Sequence, residues 1–285
     1  MRLACVLLLS AAVLASPLER ADAAEAEAPC PPPESQGEAI ELSREAADAF
    51  LDELFAYYEK VERLSANLAQ TKRGGVFKNP QRKAGTLKLQ APDRFVVDLS
   101  EHGLRIVGDG RYIWLHDTEF GDVERYDAPG QGAATGDTPA AQAGALGALV
   151  ALGQGTVEEL RRTYEVTALR GRGLDGARQT KLRLVPRDRD PGDPQRLLFV
   201  FPHAEFIPHE IALVGPDPGA GREPTVTTVH LSETSTNVDG LEPFPEETFM
   251  FEPKEHMEIR DMSAEGARRI SIDEARQAAA SAPGG

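Results

Sequence analysis

Between Ser43 and Leu64 apolar side chains recur at steps of three and four. Ala47, Leu51, Leu54, Tyr58 and Val61 form a stripe that Phe50 and Leu64 widen, with charged residues on the opposite side. That spacing predicts one amphipathic helix, with Ser43 as its N-cap. After Gly74-Gly75 the period changes to two. Leu87 and Leu89 alternate with Thr86, Lys88 and Gln90. Phe95, Val97 and Leu99 alternate with Arg94, Val96 and Asp98. Ile113 and Leu115 alternate with Tyr112, Trp114 and His116. Turn residues at 91–93, 108–110 and 120–122 separate the runs, so the segment reads as an antiparallel meander with one dry face.

An uncharged stretch rich in small residues, 140–152, interrupts the strands. Its Leu146, Leu149 and Val150 give a short helix one greasy side. It fits either a buried core helix or a movable apolar cover, because each glycine weakens it by roughly 1 kcal/mol relative to alanine. Thr156-Val157-Glu158-Glu159 starts another short helix. Strand patterns resume at 164–169, 181–185, 196–201, 207–214 and 225–231, and end at 248–251. They make about eleven short strands without the repeated helical crossovers of a parallel sheet. From Ala264 the chain reads as a polar tail, frayed or, through Ser271-Ile272-Asp273-Glu274, capped into a helix.

The first residues carry a different pattern. Arg2 precedes an apolar run, Leu3 to Ala15, broken by Ser10 and followed by small-residue sites. Residues 1–23 read as a secretory signal peptide, with an uncleaved anchor as the alternative. Residues 24–42 read as a disordered Ala/Glu/Pro linker. Cys5 falls in the signal and Cys30 in the linker, so no internal disulfide is expected of the mature chain. Glu27-Ala28-Pro29-Cys30 is not a lipoprotein box, and an exported, periplasmic protein is expected.

Charge narrows the function. Among 285 residues, 46 Asp and Glu stand against 31 Lys and Arg, a net charge of -15. That excludes a protein that works by neutralising nucleic-acid phosphates and disfavours docking on anionic lipid headgroups. The six histidines, His102, His116, His203, His209, His230 and His256, show no helical metal-protease spacing. No Gly-x-Ser-x-Gly elbow exists. Gly171-Arg172-Gly173-Leu174-Asp175-Gly176 matches a dinucleotide fingerprint in letters only, since strands flank it on both sides and a hairpin turn explains its glycines. Glu246-Glu247 fits a solvated surface. No cofactor and no metal are expected, and no enzymatic activity. A hydrolase built on unrecognised carboxylates is kept as an alternative for activity screens.

A sheet with one dry face, a long amphipathic helix and an uncharged helix make a container. Acyl chains would be held there without a polar constellation, at roughly 0.8 kcal/mol per CH₂ removed from water. Pairing and parity put Leu87, Leu89, Phe95, Val97 and Leu99 on one face, and Leu182 and Leu184 opposite Lys181 and Arg183. With Trp114 from the aromatic strand they are the candidate acyl-chain-binding residues, and Leu146, Leu149 and Val150 the candidate lid. For each of them ordinary core packing is the weightier reading, since most alternating apolar residues simply pack.

The order of several motifs resembles the family of periplasmic outer-membrane lipoprotein carriers, LolA. Leu54, Tyr58, Val61, Leu64, Leu68 and Gln70 are similar to the family's hydrophobic run leading to a Gln. Gly85, Leu87, Pro92 and Phe95 reproduce its Gly-x-Leu-x-x-x-x-Pro-x-x-Phe hairpin. Asp109-Gly110 followed by Tyr112 and Trp114 matches the next hairpin. Phe249-Met250-Phe251-Glu252-Pro253 is similar to its closing Phe-x-Phe-x-Pro, and the match covers about residues 45 to 262, within a carrier domain read as 43–262. The resemblance implies a mainly β (α+β) fold: an unclosed antiparallel half-barrel of about eleven strands with helices covering the open face. It implies a monomeric shuttle that takes acylated lipoproteins from an inner-membrane lipoprotein-releasing ABC transporter to an outer-membrane lipoprotein receptor. ATP hydrolysis would belong to the transporter. Ala91 departs from the Arg that ties down the lid in relatives, and Val97 from a common Trp. The long charged segment 187–195 departs too. A lipid- or lipoprotein-sensing regulator on the same half-barrel, of the kind that modulates envelope-stress sigma-factor signalling, is the alternative function.

Overall fold

A computed structural model describes residues 39–75, 77–128, 156–173, 176–188, 194–216, 218–219, 222–262 and 267–280. The lid candidates Leu146, Leu149 and Val150 lie outside them, as do the signal segment 1–23 and most of the linker. Three helices occur among the described residues: α1 (Arg44–Tyr58), α2 (Val157–Thr163) and α3 (Ile272–Ala280).

The strands are β1 (Ile40–Glu41), β2 (Arg63–Gly74), β3 (Phe77–Gln90), β4 (Arg94–Leu99), β5 (Leu104–Asp109), β6 (Tyr112–Asp117) and β7 (Asp122–Asp127). They continue with β8 (Tyr164–Arg172), β9 (Arg178–Pro186), β10 (Arg196–Pro202), β11 (Glu210–Val214), β12 (Val226–Thr236), β13 (Glu258–Asp261) and β14 (Arg268–Ile270). All fourteen join one unclosed sheet in the order β1-β8-β9-β10-β11-β12-β2-β3-β4-β5-β6-β7-β13-β14. The fold is mainly β, an open half-barrel with helices, as the resemblance implied. Every pairing is antiparallel except β13 on β7.

The strand count exceeds the expected eleven for three reasons. First, α1 ends at Tyr58 and not at Leu64. Ser43 caps it through Oγ, which accepts from Ala46 N at 3.3 Å. At the other end Lys60 and Val61 N–H groups turn back onto the Tyr57 and Tyr58 carbonyls. The Asn237 side-chain oxygen then accepts from both Glu62 N and Arg63 N. Leu64, Ala66 and Leu68 follow at period two, so Leu64 belongs to a strand whose first apolar residue happens to extend the helical stripe. Second, the two-residue β1 carries no periodic pattern. Third, β13 forms at Glu258–Asp261, where no strand was expected, and β14 forms at Arg268–Ile270 within the expected polar tail. The expected strand at 248–251 is a single 3₁₀ turn, Glu246–Phe249, followed by extended chain outside the sheet. Pro243, Pro245 and Pro253 bracket it and offer no N–H to a ladder.

Gly171 and Arg172 end β8, which pairs antiparallel with β9, Gly173 N donates to Ala177 O at 2.8 Å, and Gly176 has φ 77°. Gly85 meets a different demand. A Cβ there would overlap the Asp98 carbonyl and press on Leu99 Cδ2 at 3.0 Å. Gly85→Ala is therefore expected to cost about 1–3 kcal/mol through overpacking against backbone, measured by chemical denaturation. A loss below the noise of that measurement would show that β3 and β4 separate freely.

Candidate functional site

The strands present two faces with different coverings. On the inner face, pairing builds rows of apolar side chains. Leu87 stands opposite Val97, which stands opposite Ile106. Leu89 is opposite Phe95, and Leu182 is opposite Phe199, followed by Ile211 and Val229. Leu184 pairs with Leu197. Leu87, Val97, Leu99, Leu182 and Leu184 all belong to this core, and Leu89 and Phe95 pack against it partly buried. Seven of the eight residues proposed from alternation thus share one apolar surface.

Trp114 does not share it, and its assignment to the acyl-binding set is corrected. Period-two parity gives the inner face to Ile113 and Leu115 and turns Trp114 outward. There its indole N–H donates to Asp109 Oδ2 at 2.8 Å. Asp109 Oδ1 accepts from Arg111 N and Tyr112 N at 2.9 and 2.7 Å, so one carboxylate shapes the Asp-Gly turn and fixes the Trp. The Phe251 ring stacks on the indole at 4.8 Å. Val96, Val107, Trp114 and Val123 form a second core with Phe249, Phe251, Met257, Ile259, Ile270 and Ala275 from the C-terminal segment. The meander therefore has two dry faces, not one.

Helix α1 sits on the inner face. Leu51, Leu54, Phe55 and Tyr58 are buried in the same core as the sheet residues, and Phe50 meets the Phe201 ring edge-on at 5.5 Å. Sequence reasoning found this stripe but did not place it in the site. It also passed over Phe199, Phe201, Ile211 and Val229, although Phe199 and Phe201 share the parity of Leu197. Polar contacts hold α1 at its edges. Asp48 pairs with Arg161 of α2, whose backbone carbonyl accepts from Arg187 Nε at 2.9 Å. A reciprocal capping box between Thr156 and Glu159 starts α2. Tyr57 lies with its hydroxyl 3.4 Å from Thr236 Oγ1, which donates to Asp239 at 2.7 Å.

Among the described residues, one polar atom of this core has no hydrogen-bond partner: the Tyr58 hydroxyl. Burial, reinforced by Tyr57, pushes its pKa far above the ordinary phenol range, so it stays a neutral donor. Among the described residues no group of three or more His, Cys, Asp or Glu is placed to hold a metal ion, and no helix is long and apolar enough to cross a membrane.

A family model described as "Outer membrane lipoprotein carrier protein LolA" matches residues 59–143. No curated protein matches the chain. Similar solved structures include a DUF1329 family protein from Desulfovibrio piger, 10% identical over 70% of this chain and 94% of that one, TM-score 0.36. Another is a LolA superfamily protein from Nitrosomonas europaea, 14% identical over 72% of this chain and 97% of that one, TM-score 0.34.

Proposed function

We propose, from the match of a LolA family model to residues 59–143, that the protein is a periplasmic carrier that buries the acyl chains of lipoproteins against the inner face of its sheet. The observation that carries this reading is the composition of that face. Leu87, Val97, Leu99, Leu182, Leu184 and Phe199 form a continuous apolar surface on an unclosed sheet, roofed by an amphipathic helix and not by another sheet. Acyl chains and the apolar stripe of α1 offer that surface the same chemistry, so one can replace the other at little net loss of apolar burial.

The family supplies the rest of the proposal. Cargo is received from an inner-membrane lipoprotein-releasing ABC transporter and passed to an outer-membrane lipoprotein receptor. The carrier acts as a monomer, without cofactor and without catalysing a reaction. Signal-directed export through residues 1–23 places it between the two membranes. The test uses the mature chain and a hydrocarbon fluorophore such as diphenylhexatriene. We expect saturable binding near one site per chain and displacement by a triacylated lipopeptide, while the same peptide without acyl groups leaves the signal unchanged. Absence of probe binding, or equal displacement by the unacylated peptide, would remove the carrier reading.

A further inference from the structure

We propose that the Tyr58 hydroxyl is the polar contact of the acyl-binding face and donates a hydrogen bond to an acyl carbonyl of the bound lipid. This rests on the carrier reading and adds to it what the site recognises: a carbonyl-linked chain rather than bare hydrocarbon.

Tyr58 closes the buried stripe of α1, one helical turn beyond Leu54, and packs in the inner-face core. Its hydroxyl is sealed from water and bonds to nothing, the only buried hydroxyl in that state among the described residues. The neighbouring Tyr57 shows the ordinary arrangement, with Thr236 beside its hydroxyl. A phenylalanine at 58 would fill the same space without desolvating an O–H, and buried hydroxyls normally have a partner. A donor kept at that cost, in the middle of a surface that would hold lipid, has its partner supplied by the lipid.

The chemistry of the partner follows from the surroundings. The phenol stays protonated, so it offers a proton and needs an acceptor. A fatty-acid carboxylate would have to shed its hydration to reach a core of leucines and phenylalanines, which is costly for a charge without a counter-ion. A neutral ester or amide carbonyl at the head of an acyl chain brings an acceptor into the same place with far less desolvation.

Two lipids that differ only in the carbonyls separate the possibilities. 1,2-Dioctanoylglycerol and its ether counterpart, 1,2-di-O-octylglycerol, are titrated against bound diphenylhexatriene, on the mature parent and on Tyr58→Phe. In the parent the ester lipid is expected to displace the probe at about tenfold lower concentration than the ether lipid. In Tyr58→Phe that ratio falls toward one; comparing ratios cancels the different solubilities of the two lipids. The lipid-free variant is expected to melt at the same temperature as the parent or higher, because the substitution removes an unpaired donor. An ester-to-ether ratio near one in the parent overturns the proposal without any variant, and so does a parental preference that survives Tyr58→Phe. A lower melting temperature for Tyr58→Phe overturns it too, by showing that the hydroxyl has a partner in the empty protein. Failure of both lipids to displace the probe from the parent is a different result, and it sinks the carrier reading itself.

Discussion

Replacing Asp261 with Ala is expected to remove about 3–5 kcal/mol of stability, the cost of leaving a buried charge without its partner. Asp261 Oδ2 accepts from Arg125 Nη2 at 2.6 Å, and the two residues are 3% and 7% exposed. They face each other across the one parallel pairing in the sheet, β13 on β7. The Arg125 guanidinium lies 4.5 Å from the Tyr112 ring centre and 5.9 Å from that of Trp114, so it is wedged among aromatic groups that give it no anionic alternative. Arg268 of β14 approaches the same carboxylate at 3.7 Å and reaches Glu274 of α3 at 2.6 Å. One side chain therefore joins β7, β13 and β14, and through Arg268 the last helix. Chemical unfolding of Asp261→Ala reads the loss. An Arg125→Leu/Asp261→Leu double variant should recover much of it, since two apolar side chains leave nothing unpaired. A single-variant loss under about 1 kcal/mol would mean that the C-terminal segment docks without belonging to the cooperative core.

That segment is also where sequence reading stops. The inner face was legible because alternation carries its own register: Leu87 and Leu89 could only meet Val97 and Phe95 if a tight turn lay at 91–93, and they do. The outer covering has no such signature. Phe249, Phe251 and Met257 sit among prolines without a period, and the partner of Arg125 lies 136 residues away in sequence. Trp114 was misassigned for a related reason. Its large apolar ring suggests a lipid contact, but the polar edge of the indole needs an acceptor, and Asp109 supplies one on the other side of the sheet. The end of α1 was overrun because Leu64 satisfies both periods at once. In contrast, the Gly-x-Leu motif has a local physical cause, since Gly85 alone leaves room for the Asp98 carbonyl.

If acyl chains replace α1 on the inner face, Leu54→Ala should weaken the empty protein and strengthen its grip on lipid at the same time. Leu54 is fully buried against the sheet. Truncating it costs about 2–5 kcal/mol in lost transfer energy and residual cavity. That loss falls on the state in which α1 is seated. The lipid-bound state, in which the turns of α1 before Tyr58 swing off the sheet while the Asn237 contacts to residues 60–63 keep Tyr58 at the face, does not use the contact. Apparent affinity scales with the fraction of molecules whose binding-competent state is populated, so a relative destabilisation of about 2 kcal/mol raises it roughly 30-fold, until the intrinsic affinity is reached. Leu182 provides the contrast. It is equally buried but belongs to the sheet, paired with Phe199. Leu182→Ala removes a contact that both α1 and the incoming chains would make, so stability should fall with no gain in affinity. Denaturant unfolding and fluorophore titration on the two variants give four numbers, and the competition model fixes the sign of three. Parallel loss of stability and affinity in Leu54→Ala would place the bound chains beside a helix that stays seated. Faster hydrogen exchange of the α1 amides on adding lipid to the parent would show the helix leaving directly, because its backbone bonds are protected only while its buried stripe is held against the strands.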